Sequence, residues 1–280
     1  MGDFMDDMEK TENHFKKPKR IWKLILILAL TVCIVLVGYV CIMLYMEYTA
    51  GDIEPEQFTT PAATEPNTGP DRPKFTAPTD VLPKGEIDFD KLQKINKDLY
   101  AWVKIPNTHI NYPVAQYSGD DNLFYLSHDM YKNDLFEGCI YTENYNKKDF
   151  SDPNTILYGH NMLNKTMFGD LHNFRDEEFF NENPYIYVYT PKHKLTYEIF
   201  SAYDYDDRHI LFSFNFFEDK EKFAEYLEYA INPTNTAVRN TRPEVQVTVE
   251  DKIITLSTCS DFENLRYLVQ GKLIKDEKVQ

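Results

Sequence analysis

The stretch TLSTCS, Thr255–Ser260, puts a cysteine at the end of an apolar, β-branched run, and NTILYGHNM, Asn154–Met162, puts a histidine just beyond another. Arg266 follows Cys259 by seven residues and opens the last such run, RYLVQGKLI. A thiol attacks as its thiolate, a neighbouring imidazolium or guanidinium favours that form, and a histidine can then hand a proton to a leaving amine. The tetrahedral intermediate of acyl transfer develops an oxyanion, for which a fixed guanidinium is a fitting donor. Cys259, His160 and Arg266 together are therefore a complete acyl-transfer set that needs neither metal nor cofactor. Taken singly, each has a plainer meaning: a small buried hydrophobe, a satisfied structural histidine, a surface charge. Cys139, in EGCIYT, has no such company and keeps the plain meaning. Of the other histidines, His193 lies in the turn TPKHK, while His109, His128, His172 and His209 lie in polar surroundings.

The elements that must position these residues are mostly strands. AWVKI, GCIY, NTILYG, YIYVY, KLTYEIFSAYDY, VQVTV, KIITLST and RYLVQGKLI are short, rich in β-branched and aromatic residues, and bounded by Pro, Asn, Asp or Gly. Eight such runs point to a barrel or sandwich. The loop CSDFENLR joins the last two, so pairing between them brings thiol and guanidinium to one end of a sheet. Two segments break the rhythm. DFDKLQKINKDL spaces Phe89, Leu92, Ile95 and Leu99 for a short amphipathic helix, and Phe216–Ile231 carries Phe223, Tyr226, Leu227, Ala230 and Ile231 on one helical face before the stop at Asn232-Pro233.

Ahead of this body lies Leu24–Met46, 23 residues without a charge. As a helix it would extend about 34 Å, enough to cross a bilayer core. A cleaved signal peptide would have a shorter apolar region and small residues at the cut, where this chain has Tyr48, so an uncleaved anchor is expected. Lys16, Lys17, Lys19, Arg20 and Lys23 precede the span, whereas Glu47, Asp52, Glu54 and Glu56 follow it, which places the N-terminus, with His14, in the cytoplasm. From Ala50 to Gly85, prolines at 55, 61, 66, 70, 73, 78 and 83 alternate with Thr, Glu and Asp, a composition that stays extended and cannot form a core. The expected organisation is a cytoplasmic segment 1–23, an anchor 24–46, an extracellular Pro-rich linker 47–85 and a folded domain 86–280. Residues 1–23 carry one net positive charge, so the remainder holds −16 of a chain total of −15. So acidic a body repels phosphate backbones, and no nucleic acid is expected as a partner. Cys33 and Cys41 fall inside the span, leaving Cys139 and Cys259 as the external pair: either they bridge, or one is a working thiol.

TLSTC with an arginine at the start of the final strand, and LYGHN about a hundred residues earlier, resembles the sortases, the cysteine transpeptidases of Gram-positive surfaces. The resemblance spans Ile87 to Ile274. The long interval from His160 to Cys259 with its amphipathic helix, together with AWVKIPNTHINYPV and DNLFYLSHD upstream, is similar to class B. The resemblance implies a closed eight-stranded β-barrel with an N-terminal helix and a helix between its sixth and seventh strands. It also implies Cys259 as nucleophile, His160 as acid/base and Arg266 as the residue that orients substrate and stabilises the oxyanion. Ser257 and Thr258 would border the substrate groove, and Asn122 and Leu126 would line it. Two features depart from the family pattern: the loop from Cys259 to Arg266 is short, and Thr142 and Glu143 stand where an acidic residue usually follows the strand more directly.

The expected activity is that of a membrane-anchored, class B-like cysteine transpeptidase of the EC 3.4.22 type at the cell surface. The resemblance implies that it cleaves a threonyl bond in the C-terminal sorting pentapeptide (LPxTG-like or NPxTN-like) of a secreted protein, through a thioester. The acyl group would pass to an amine of a cell-wall peptidoglycan precursor or of a pilin. Two rivals share the residues: a Cys/His peptidase that only hydrolyses, and a non-catalytic binding domain on a stalk, in which Cys259 would be inert.

Overall fold

The structure, a computed structural model, describes residues 27–41, 87–234, 236, 239–260 and 264–279. The chain divides into two compact units, Met1–Thr49 and Ala50–Gln280. In the first, residues 27–41 form a helix, α1, whose Leu28, Ile34, Val35 and Val37 are all more than half exposed. Among the described residues no helix is long and apolar enough to cross a membrane. The remainder of the expected anchor, the segment 1–23 and the linker 47–85 lie outside the described residues.

In the second unit the strands are β1 (Leu99–Lys104), β2 (Asn111–Ala115), β3 (Ile140–Tyr141), β4 (Asn154–Tyr158), β5 (Tyr185–Tyr189), β6 (His193–Asp206), β7 (Arg239–Thr241), β8 (Ile253–Cys259) and β9 (Leu265–Lys278). They pair in the order β5-β1-β2-β3-β4-β8-β9-β6, and β6 pairs back onto β5. Eight strands thus close a barrel, which removes the exposed sheet edges that invite aggregation. β6 is long enough for two partners on one side: Lys194–Glu198 meet β5, and Ser201–Tyr203 meet the short ninth strand β7. The β2–β3 and β4–β8 pairs are parallel, the rest antiparallel. The helices are α2 (Phe89–Ile95), α3 (Glu177–Glu182) and α4 (Lys220–Ile231). α4 lies between β6 and β8, the sixth and seventh barrel strands, as the resemblance implies.

Alternation along the strands sorts the core into layers. Leu157, Ile254, Leu256, Tyr267 and Val269 are buried inside the barrel. On the outer surface Ile156, Ile253 and Leu268 pack with Phe223, Tyr226, Leu227 and Ala230 of α4, each large apolar side chain contributing about 1.5–3 kcal/mol by burial. A buried polar chain helps seat that helix: Gln270 Nε2 donates to Tyr226 Oη at 2.7 Å and to Thr255 Oγ1 at 2.8 Å, and Thr255 Oγ1 donates to Asn154 Oδ1 at 2.9 Å. Asp219 caps α4, accepting from the N–H groups of Glu221 and Lys222, so the helix begins four residues later than its hydrophobic pattern. Before it, Ile210–Phe217 wind as a 3-10 helix. On another face Leu92 of α2 packs with Leu99, Trp102 and Tyr125.

Two strand expectations change. VQVTV, residues 245–249, is not a strand: Val245 and Val247 are buried against the outer cluster, but their backbone is held by turn bonds such as Val245 N–H to Arg242 C=O. β2 replaces it as the eighth barrel strand, although it contains Pro113. The carbonyl of Pro113 faces Cys139 Sγ at 3.8 Å, on the β3 side, and a residue's N and C=O share a strand edge. The β3 ladder starts only at Val114, so the missing N–H costs no bond.

Candidate active site

Three neighbouring strands carry the three expected residues to one level. In the antiparallel β8–β9 pair, Cys259 stands directly opposite Arg266. In the parallel β4–β8 pair the last match is Tyr158 with Ser257, so two residues further on His160 draws level with Cys259. Level residues on adjacent strands project to the same face. The β4 and β8 backbones stay joined past the ladder, because Gly159 N–H donates to Ser257 C=O at 3.2 Å and Thr258 Oγ1 donates to Gly159 C=O at 2.7 Å. The face is the outer one, since Leu268, two residues along β9 from Arg266, belongs to the outer cluster.

Arg266 Nη1 donates to Cys259 Sγ at 2.9 Å, and both residues are exposed. Cys139 and Cys259 are both free thiols, and Cys139 is 1% exposed, so the disulfide alternative does not hold. Burial pushes the Cys139 thiol up to about 12, which keeps it protonated and inert. His160 Nε2 donates to the Leu126 carbonyl at 2.9 Å. A carbonyl only accepts, so the neutral ring carries its hydrogen on Nε2 and keeps Nδ1 as its basic atom. The Phe136 ring stacks on His160 with centroids 5.1 Å apart.

The carbonyl that holds His160 is itself braced. Leu126 ends the 3-10 helix Phe124–Leu126, in which Tyr125 Oη donates to Asp98 Oδ2 at 2.9 Å and accepts from Asn96 Nδ2 at 2.7 Å. Burial pushes the Asp98 carboxyl up, but bonds from Lys132 and Tyr125 outweigh it and hold the group below the usual carboxylate range. Leu126 therefore enters the site through its backbone, while its side chain packs against the Leu92–Trp102 cluster. Asn122 Oδ1 accepts the Asn144 N–H at 2.9 Å, tying this loop to the segment after β3. Ser257 lies on the Cys259 face. Thr258 lies on the opposite face, 2% exposed, with its hydroxyl spent on Gly159.

Beside the thiol, Tyr141 and Tyr158 stack with centroids 5.5 Å apart. Burial raises both phenols far above their ordinary range; the Glu143 carboxylate adds to the rise and Arg266 opposes it. Glu143, nearly buried, pairs with His209 Nε2 at 2.6 Å. Sequence reasoning did not single out His209, nor His172, which lies behind Cys259.

A closed barrel with a cysteine, a histidine and an arginine at one strand level defines a cysteine acyl-transfer scaffold. The sortase-domain family model matches residues 103–274, more than half of the chain, and the protein belongs to the sortase family. Within it the chain is class B-like. It is 35% identical to sortase B of Listeria monocytogenes serovar 1/2a over 205 residues, 72% of this chain and 80% of that one. Sortase B of Staphylococcus aureus is 33% identical over 190 residues, covering 67% and 75%. Among solved structures, Clostridium perfringens sortase B superposes with a TM-score of 0.60 at 36% identity, covering 67% of this chain and all of that one. A Staphylococcus aureus sortase B–substrate complex gives 0.58 at 32% identity, covering 67% and 84%.

Proposed function

We propose that this sortase joins secreted proteins to an amine at the cell surface, with Cys259 as nucleophile, His160 as acid/base and Arg266 as oxyanion donor. Cys259 gives its thiol proton to His160, the thiolate Sγ attacks a threonyl carbonyl in a C-terminal sorting pentapeptide, and Arg266 faces the oxygen as it gains charge. The C–N bond breaks as His160 gives a proton to the leaving amine, and a thioester remains. An amine of a peptidoglycan precursor or a pilin then attacks the thioester, His160 takes its proton, and the thiolate departs. The observation that carries this reading is the 2.9 Å approach of Arg266 Nη1 to Cys259 Sγ, with His160 level on the next strand. Metal chemistry is not required by any step.

The wider setting is part of the same proposal. α1 is apolar all round and exposed, the pattern of a helix that needs lipid around it. With the flanking apolar residues it completes the anchor 24–46, the linker 47–85 lifts the catalytic domain off the outer face, and the N-terminus stays cytoplasmic. Tethering enzyme and substrate to one membrane raises their effective concentration.

The test is the full chain in detergent micelles, given quenched LPxTG-like and NPxTN-like peptides with and without triglycine or a lysine amine, products being weighed by mass spectrometry. Wild type should cleave after threonine and form the amide adduct, and Cys259→Ala should do neither. Undiminished cleavage by Cys259→Ala would remove the nucleophile, and free acid as the sole product at every amine concentration would favour the hydrolytic peptidase.

A further inference from the structure

Behind the thiol, a second histidine holds the backbone of Cys259. His172 Nε2 donates to the Cys259 carbonyl at 3.0 Å, and His172 Nδ1 accepts from Arg175 Nε at 3.2 Å. The two side chains meet because residues three apart eclipse one another on the 3-10 helix Gly169–Arg175. An arginine N–H only donates, so Nδ1 must accept and Nε2 must carry the hydrogen that reaches Cys259. Arg175 then grips Asp204 of β6 with both terminal nitrogens, at 2.9 and 2.7 Å. Its Nη2 also donates to Ser260 Oγ at 3.0 Å, and Ser260 Oγ donates to Asp204 Oδ1 at 2.6 Å. Tyr267 covers the group, with the Arg175 guanidinium 4.4 Å and the His172 ring 5.0 Å from its centroid.

The Asp204 side chain is 2% exposed and that of Arg175 17%. A buried ion pair roughly repays its own desolvation, so fold stability is a poor reason for placing one here. Its bonds instead converge on residues 259 and 260, the thiol-bearing residue and its neighbour. Ser260 N–H closes the arrangement by donating to Leu265 C=O at 3.0 Å, one residue before Arg266.

We propose that His172, Arg175, Asp204 and Ser260 form a positioning network that fixes the Cys259 backbone, so that the thiol meets Arg266 and the incoming carbonyl in one orientation. The inference rests on Cys259 being the nucleophile. None of the four need touch reacting atoms; they act through the main chain of the residue that does. Misplacing a reacting atom by about 1 Å costs on the order of 100-fold in rate, so the network bears on turnover rather than on peptide affinity.

The test compares His172→Phe, which keeps a ring against Tyr267 but loses the donor, with His172→Gln, which keeps a donor, in the full chain in detergent. His172→Phe should lower kcat about 10- to 100-fold with KM within about twofold, and His172→Gln should recover most of the loss. Asp204→Asn, which loosens Arg175, and Ser260→Ala should move kcat the same way, and both remain informative should His172→Phe fail to fold. Wild-type kcat in Ser260→Ala and Asp204→Asn, a glutamine no better than phenylalanine, or a loss carried by KM would each overturn the proposal. Cys259→Ala, run alongside, separates the two ideas. If it is inactive while the network variants turn over normally, only the network fails; if it is active, the nucleophile reading fails first.

Discussion

Arg266 is the residue at which shape and charge separate most cleanly. Its Nη1 reaches Cys259 Sγ at 2.9 Å while the rest of the guanidinium remains an N–H fork beside the sulfur. A lysine would keep the charge but present a single hydrated point, unable to hold sulfur and oxyanion together. Arg266→Lys should therefore lose about 10²–10³ in kcat, close to the loss in Arg266→Ala, with KM little changed. Steady-state kinetics on a cleaved peptide checks this, and a lysine variant within tenfold of wild type would mean that charge alone suffices. The three central residues were legible in the sequence because their side-chain types carry the chemistry and each stands at the start or the finish of an apolar run. The bond from His160 to the Leu126 carbonyl had no such signal, since a backbone carbonyl is an atom every residue has. His172 carries no sequence signal for the same reason: what it grips is the main chain of Cys259.

At the scale of elements, the His160 ring depends on a loop whose path one glycine permits. Gly138 sits at φ +62°, and a Cβ there would fall 2.4 Å from the Tyr125 carbonyl oxygen and 2.7 Å from that of Leu126, the acceptor of His160 Nε2–H. Gly138→Ala should therefore cost about 1–3 kcal/mol of stability through left-handed strain and backbone clash. It should also lower kcat by releasing His160. Urea midpoints and kcat measured together check both, and unchanged turnover in a destabilised variant would show that the Leu126 carbonyl does not matter. Most elements were readable because a two-residue apolar period and a 3.6-residue one are distinct. The failures had physical causes. VQVTV met its alternation by burying Val245 and Val247 without a ladder, and Pro113 masked β2 although its nitrogen faces a gap in the pairing. The β5–β6 hairpin was local, turning at Thr190–Lys192, whereas the pairing of β1 with β5, Trp102 opposite Tyr189, lay beyond any local signal because it joins strands more than eighty residues apart.

For the molecule as a whole, closing the barrel and laying α4 over it seals many phenols away from water. Tyr100 and Tyr197 in the interior, Tyr203 beneath α4, Tyr226 on that helix's buried face, and Tyr267 are all at most 5% exposed, and burial is the first cause of the rise in each of their pKa values. Cys139, pushed up to about 12, belongs with them. In the unfolded chain the thiol ionises near 9.0 and the phenols near 10.0. The folded state therefore binds more protons than the unfolded one once pH exceeds about 9, and stability falls as pH rises from there. Each buried group adds about 1.4 kcal/mol per pH unit between its unfolded and folded values, so several together make the decline steep. Urea midpoints should be level from pH 7 to 9 and drop sharply by pH 11, with a midpoint that stays level to pH 11 contradicting the assignment. Mass-mapped alkylation gives a second reading at the thiols. At pH 8 iodoacetamide should modify Cys259 in the folded chain and spare Cys139 until urea opens the barrel, because one sulfur lies at the outer face beside Arg266 and the other inside the wall that holds the site in place.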